Sequence, residues 1–161
     1  MMSQSGGQAA TSYLDSSALV KRYLAEVGTP WVQTWCGDSA QTVAVAEIGL
    51  VEIAAAFAGK LRGTHITPAQ YDGARADLTT DAQVEYALVT VNREVVDEAI
   101  ELTARHRLRG YDAVHLACAL TLNRALVACH LLPLTLISAD DDLLKAAAAE
   151  GLLTDNPNLH A

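Results

Sequence analysis

The chain lacks most of what marks a membrane, secreted or cofactor-clasping protein. No apolar run is long enough to span a bilayer, which excludes a helical membrane protein. The opening residues, MMSQSGGQAATS, have neither a basic start nor an apolar stretch. They are therefore expected to be a flexible tail over residues 1–11 rather than a secretion signal. The three cysteines, Cys36, Cys118 and Cys129, are odd in number and far apart, with no CxxC and no zinc-type spacing. Free thiols in a reducing cytoplasm are the reading. There is no Gly-rich phosphate loop, since Gly6-Gly7 lies in the tail and the other glycines are scattered. Aromatic residues are only 5%, so Ala, Leu and Val must carry the core. Positive charge is scarce too: 11 Lys and Arg face 19 Asp and Glu, for a net charge of −8. This argues against nucleic-acid binding through a basic footprint. It leaves open an acidic site whose charge bound cations neutralise, and a basic partner.

What is present is enough apolar material, 51% of 161 residues, for one domain with one core. We place that domain at residues 12–155, with a short tail at 156–161. Strand-like segments are Ser12 to Leu14, Gln41 to Val45, Tyr86 to Val91, Leu134 to Ser138 and Leu152 to Thr154. Helical spacing runs over Ser16 to Ala25, Thr29 to Cys36, Ala46 to Leu61, Pro68 to Leu78, Arg93 to Leu108, Asp112 to Leu126 and Asp141 to Glu150. Thr67-Pro68-Ala69-Gln70 joins a cap residue, a Pro at the first helical position and a Gln three residues after the cap. Strands separated by helices imply parallel pairing with helices on both faces. The fold class is α/β: three α/β/α layers around a short parallel sheet of four to five strands.

In such sheets ligands bind outside the carboxyl ends of the strands. Asp15 directly follows the first strand, in YLDSSAL, and Asp140 follows a later one, in LTLISADDDLL. Either alone could simply cap the next helix. Glu52, in IGLVEIAAAFA, and Asp112, opening DAVHLACALTL, lie in strongly apolar helices. A carboxylate there loses hydration unless it is paired or binds metal. Their bland readings are an exposed polar stripe for Glu52 and a helix cap for Asp112. Together the four suggest one shared site. Hard cations such as Mg²⁺ and Mn²⁺ take oxygen ligands and can drive phosphodiester hydrolysis. No nucleophilic Ser or Cys motif competes.

Four segments, YLDSSALVKRYLAEVGT, VAEIGLVEIAAAFAG, LRGYDAVHLACAL and LISADDDLLKAAAAEGL, come in the order and spacing of a known family. The chain resembles the PIN-domain family, and most closely its VapC-type toxins of bacterial toxin–antitoxin pairs. The resemblance implies a site of three or four acidic residues that fall here on Asp15, Glu52, Asp112 and Asp140, acting as catalytic residues and metal ligands. Glu47 is a rival to Glu52, but the family's xVExxxA pattern falls on Val51 to Ala56. Five residues apart is about 140° around a helix, so the two glutamates cannot both face one site. The resemblance further implies one or two Mg²⁺ or Mn²⁺ ions and endonucleolytic cleavage of RNA, of the tRNA or rRNA class, leaving a 5′-phosphate and a 3′-hydroxyl. It also implies an antitoxin partner, a homodimer and a cytoplasmic location.

Other residues are candidates for supporting roles. Ser17 and Ser138 could hydrogen-bond the carboxylates or cap helices. His115, one turn after Asp112, reads as a packed structural histidine or a site residue. Asp142 departs from the family's habit of variable, often basic residues and either favours a helix N-terminus or joins the site. Arg105, His106, Arg107 and Arg109 form the one basic concentration, and the three arginines are candidate RNA phosphate contacts. Rival readings are a PIN-like scaffold that binds without cleaving, a nuclease with no antitoxin, and a phosphatase-type α/β domain. The last would place a DxD after the first strand, where this chain has Asp15-Ser16-Ser17.

Overall fold

The structure, a computed structural model, describes residues 9–160. The expected tail falls largely on residues 1–8, outside the described residues. The first strand, β1 (Ala10–Leu14), begins inside the stretch read as tail, because Ala10 and Thr11 pair with Gln41 and Thr42. The order is then α1 (Ser16–Tyr23), α2 (Thr29–Gly37), β2 (Gln41–Ala46), α3 (Glu47–Arg62), α4 (Pro68–Val84), β3 (Ala87–Val89), α5 (Arg93–Arg105), α6 (Gly110–Ala128), β4 (Thr135–Ile137), α7 (Asp141–Ala149) and β5 (Leu153–Asp155). A final 3-10 turn covers Pro157–Leu159. Asn156 and Pro157 are buried, so this end is packed rather than a loose tail.

All five strands are parallel, in the order β3-β2-β1-β4-β5. Strand residues alternate between two cores, as a pleated period of two requires. Tyr13, Ala44, Ala46 and Leu136 face α5, α6 and α7, where Val95, Leu102, Leu116 and Leu143 fill the core. Leu14, Val43, Val45 and Ile137 face the other way, against Leu19, Val32, Ile53, Phe57 and Leu78 of α1 to α4. This is the expected three-layer arrangement. No helix among the described residues is long and apolar enough to cross a membrane.

Local signals explain most boundaries. The Thr67 hydroxyl accepts from the Gln70 amide at 3.2 Å and the Gln70 side chain accepts from the Thr67 amide at 2.8 Å, so the capping box opens α4 as read. Several ends differ from expectation. α4 continues to Val84 rather than Leu78, since no Gly or Pro interrupts TTDAQV. α5 stops at Arg105, and His106 is held by Glu150 at 2.6 Å. α6 starts at Gly110 with Arg109 as its cap, so Asp112 lies inside the first turn rather than at the cap.

Candidate active site

The sheet order reverses between β1 and β4: these neighbours are separated in sequence by two other strands. The crevice beyond the carboxyl ends of two such strands is where open α/β sheets bind ligands. Asp15 leaves β1 there, with its amide donating to the Ile137 carbonyl of β4 at 3.2 Å. Asp140 follows β4 on the same edge. Both aspartates cap helices, so the capping reading of each holds. The Asp15 Oδ1 accepts from the Ala18 amide at 3.0 Å, and the Asp140 Oδ1 accepts from the amides of Asp142 and Leu143 at 2.9 and 3.1 Å.

Asp15 is the most deeply buried of the four carboxylates, 3% exposed. Two serines hold it. The Ser17 hydroxyl donates to its two oxygens at 2.8 and 2.9 Å, and the Ser138 hydroxyl donates to Oδ2 at 2.7 Å. The serines in turn accept backbone amides across the two loops, Ala139 onto Ser17 at 2.9 Å and Asp140 onto Ser138 at 3.0 Å. Burial pushes the Asp15 carboxyl above the usual range; Ser138, His115, Ser17 and the Ala18 amide offset this only in part. Ser138 therefore ties Asp15 to Asp140.

Glu52, on α3, is half-buried, whereas Glu47 is exposed. One Glu52 oxygen meets the His115 Nε2 at 2.6 Å and the other accepts from the Ser16 hydroxyl at 3.3 Å. The His115 Nδ1 meets the Tyr13 hydroxyl at 2.7 Å. Burial first, then Cys118 and Asp15, hold the Tyr13 phenol well above its usual range, so it is a neutral donor. A phenol donating to Nδ1 leaves the proton on Nε2, aimed at Glu52. His115 is thus hydrogen-bonded at both ring nitrogens and linked to Glu52 rather than merely packed.

Asp112 joins the two halves. It lines one cavity of about 570 Å³ with Glu52, Arg109, Gly110, Tyr111 and Val114, and a second of about 370 Å³ with Arg107, Leu108, Arg109, Asp140 and Asp142. Burial and the Asp140 carboxylate push the Asp112 carboxyl up, with Arg109 offsetting part of the effect. Asp142 sits at the rim, 3.8 Å from Lys145. Arg105 lines neither cavity; it pairs with Glu150 at 3.0 Å, which leaves Arg107 and Arg109 as the arginines beside the carboxylates.

The donor set suits a hard cation, being carboxylates and hydroxyls alone. The Asp140 Oδ2 has no hydrogen-bond partner among the described residues. Yet among the described residues no three His, Cys, Asp or Glu side chains stand together as a ready-made cage. Mg²⁺ is ordinarily held by only one or two carboxylates, with waters and substrate phosphates completing its shell. An open, partial donor set therefore fits such an ion. Sequence reasoning missed Ser16, Tyr13 and Tyr111; a lone tyrosine on a buried strand, needing a partner for its hydroxyl, was the available signal for Tyr13.

The fold and its acidic crevice define a three-layer α/β protein with a carboxylate cleft at the switch point of a parallel sheet. A family model of the PIN domain matches residues 12–149, and the chain belongs to the PIN domain family, a family of nucleases. Among solved structures it is similar to PAE2754 from Pyrobaculum aerophilum, with a TM-score of 0.61 and 16% identity over 94% of this chain and 88% of that one. It is also similar to VapC20 of Mycobacterium tuberculosis, a sarcin-ricin loop cleaving toxin, with a TM-score of 0.61 and 13% identity over 89% and 97%. A toxin–antitoxin complex from Klebsiella pneumoniae gives 0.54 and 17% over 91% and 97%. At these identities the likeness is one of fold. No curated protein matches.

Proposed function

We propose that the chain is an endoribonuclease dependent on Mg²⁺ or Mn²⁺, and the toxin of a VapC-type toxin–antitoxin pair acting in the cytoplasm. The observation that carries this reading is the position of Asp112, which shares one cavity with Glu52 and the other with Asp140. Asp15, Asp112, Asp140 and Glu52 are the residues that hold one or two cations. When bound, the cation lowers the pKa of the attacking water and stabilises the leaving oxygen.

The chain's own groups do the rest. Ser17 and Ser138 fix the Asp15 carboxylate, and Ser138 holds the Asp140 amide beside it. His115 and Ser16 fix Glu52. Arg107 and Arg109 supply the phosphate contacts, against the acidic net charge. Support for RNA as substrate comes from the nuclease family and from VapC20, named for cleaving the sarcin-ricin loop. Support for an antitoxin comes from similar structures that are toxin–antitoxin complexes. A homodimer draws on exposed apolar residues such as Val51, Val84 and Leu88.

One observation favours the alternative of a binding or scaffold protein: no three of these acidic groups are gathered into a cage among the described residues. Cleavage of structured RNAs by wild type and Asp112→Asn, with Mg²⁺, with Mn²⁺ and with chelator, separates the two. Cation-dependent cleavage that Asp112→Asn abolishes is expected. Cleavage retained by Asp112→Asn or in chelator, or no cleavage by wild type, sinks the nuclease assignment.

A further inference from the structure

Among the described residues Tyr111 is the tyrosine without a partner. Tyr13 meets His115, Tyr23 and Tyr86 meet each other and Arg22, and the Tyr71 ring lies under Arg75. Tyr111 is 58% exposed in a chain that is only 5% aromatic. It stands at the start of α6 between Arg109 and Asp112, and lines the larger cavity beside Glu52 and Val114. That cavity is apolar along Gly110, Tyr111 and Val114; the smaller one is polar, with Leu108 its one apolar residue. The two cavities share Arg109 and Asp112.

We propose that Tyr111, with Val114 and Arg109, forms a nucleobase subsite that stacks the unpaired base next to the phosphate held by Arg109. The proposal rests on the ribonuclease reading and names the side chains that receive an unpaired base beside the cleft. A strand laid across both cavities places its phosphate at their junction, beside Arg109. One flanking base then lies against Tyr111 and Val114, and the sugar-phosphate on the other side passes Arg107. A base inside a duplex has both faces covered by its neighbours, so an exposed ring at this point selects for unpaired nucleotides. Stacking is also sequence-tolerant, because every base offers a π face. Arg109, the cap residue of α6, lines both cavities, so its guanidinium is placed to meet the phosphate at their junction.

The test measures anisotropy of a short fluorescein-labelled single-stranded RNA, in chelator, with wild type, Tyr111→Phe, Tyr111→Leu and Tyr111→Ala. Tyr111→Phe should bind as wild type does. Tyr111→Ala and Tyr111→Leu should bind about 5- to 150-fold more weakly, the loss expected for one base stack. Binding of a blunt RNA duplex should not respond to any of them. Thermal melts check that the variants fold, as the exposure of Tyr111 predicts. Equal binding of the single strand by Tyr111→Ala and wild type overturns the subsite. So does failure of wild type to bind it. Absence of cation-dependent cleavage, with the stacking difference intact, refutes the nuclease reading while upholding the subsite.

Discussion

Removing the Ser138 hydroxyl isolates the contact that joins the two strand-end aspartates. Ser138 is fully buried. Its hydroxyl donates to Asp15 at 2.7 Å and accepts the Asp140 amide at 3.0 Å. Ser138→Ala deletes a hydrogen bond to a charged acceptor and strands a backbone donor. The first loss is worth about 1.5–3 kcal/mol. In a chain of this size each kcal/mol moves the melting temperature by about 2–4 °C, so a loss of about 2 kcal/mol gives a fall of about 4–8 °C in chelator. Among the groups that hold the Asp15 carboxyl down against burial, Ser138 is the strongest, so the variant's carboxyl moves further up and binds cations less well. Loss of a group that orients a ligand typically costs about 10- to 100-fold in metal affinity. Cleavage should therefore need more Mg²⁺ and recover when Mg²⁺ is raised. Ser17→Ala should behave similarly, and the double variant should lose less than the sum, since the two hydroxyls lie 3.3 Å apart. An unchanged melting temperature together with an unchanged Mg²⁺ requirement would refute the reasoning.

Two further outcomes follow from features away from the cleft. The Glu26 carboxylate meets Lys60 at 2.7 Å and the buried Lys21 at 3.2 Å. Burial raises its pKa, but the two ammonium groups outweigh that and hold it below the usual range. The stabilisation is thus present above the unfolded value, about 4.3, and is lost as pH falls through the folded one. Glu26→Gln should cost about 1–3 kcal/mol at neutral pH, a penalty that vanishes in acid; denaturant melts against pH measure it, and a penalty that persists in acid contradicts it. Gly28 has φ +84°, and a Cβ there would meet the Pro157 carbonyl oxygen at 2.3 Å. Gly28→Ala should cost at least about 1–2 kcal/mol and release Trp31 from its stack on His160 at 4.3 Å, seen as a change in tryptophan fluorescence. Wild-type fluorescence and stability in that variant would show that the C-terminal turn does not press on α2.

The layered fold was legible because its signals are local. The helical spacing and the Thr67 box depend on residues a few positions apart. Helix ends without a breaker, such as Val84, were not legible, and neither was the start of α6, read at Asp112 although the first helical turn already opens at Gly110. At the site, strand-end placement pointed to Asp15 and Asp140. Apolar context singled out Glu52 and Asp112 as the carboxylates hardest to hydrate, yet the structure buries Asp15 most and leaves both of the others half-exposed. Periodicity reports the neighbours on one helix, whereas burial depends on what packs above it. The Tyr13–His115–Glu52 chain was invisible for the same reason, its members lying 102 and 63 residues apart.

The contact between Ser138 and Asp15 spans 123 residues, and β4 is the strand that brings them together. During synthesis, α1 to α6 all emerge before it. A nascent or truncated chain can therefore bury much of the α1–α4 core while its acidic crevice stays unbuilt. Under the nuclease reading, the molecule cannot complete its crevice until about its last sixth, from β4 onward, has been made, so activity waits on the order in which the sheet closes.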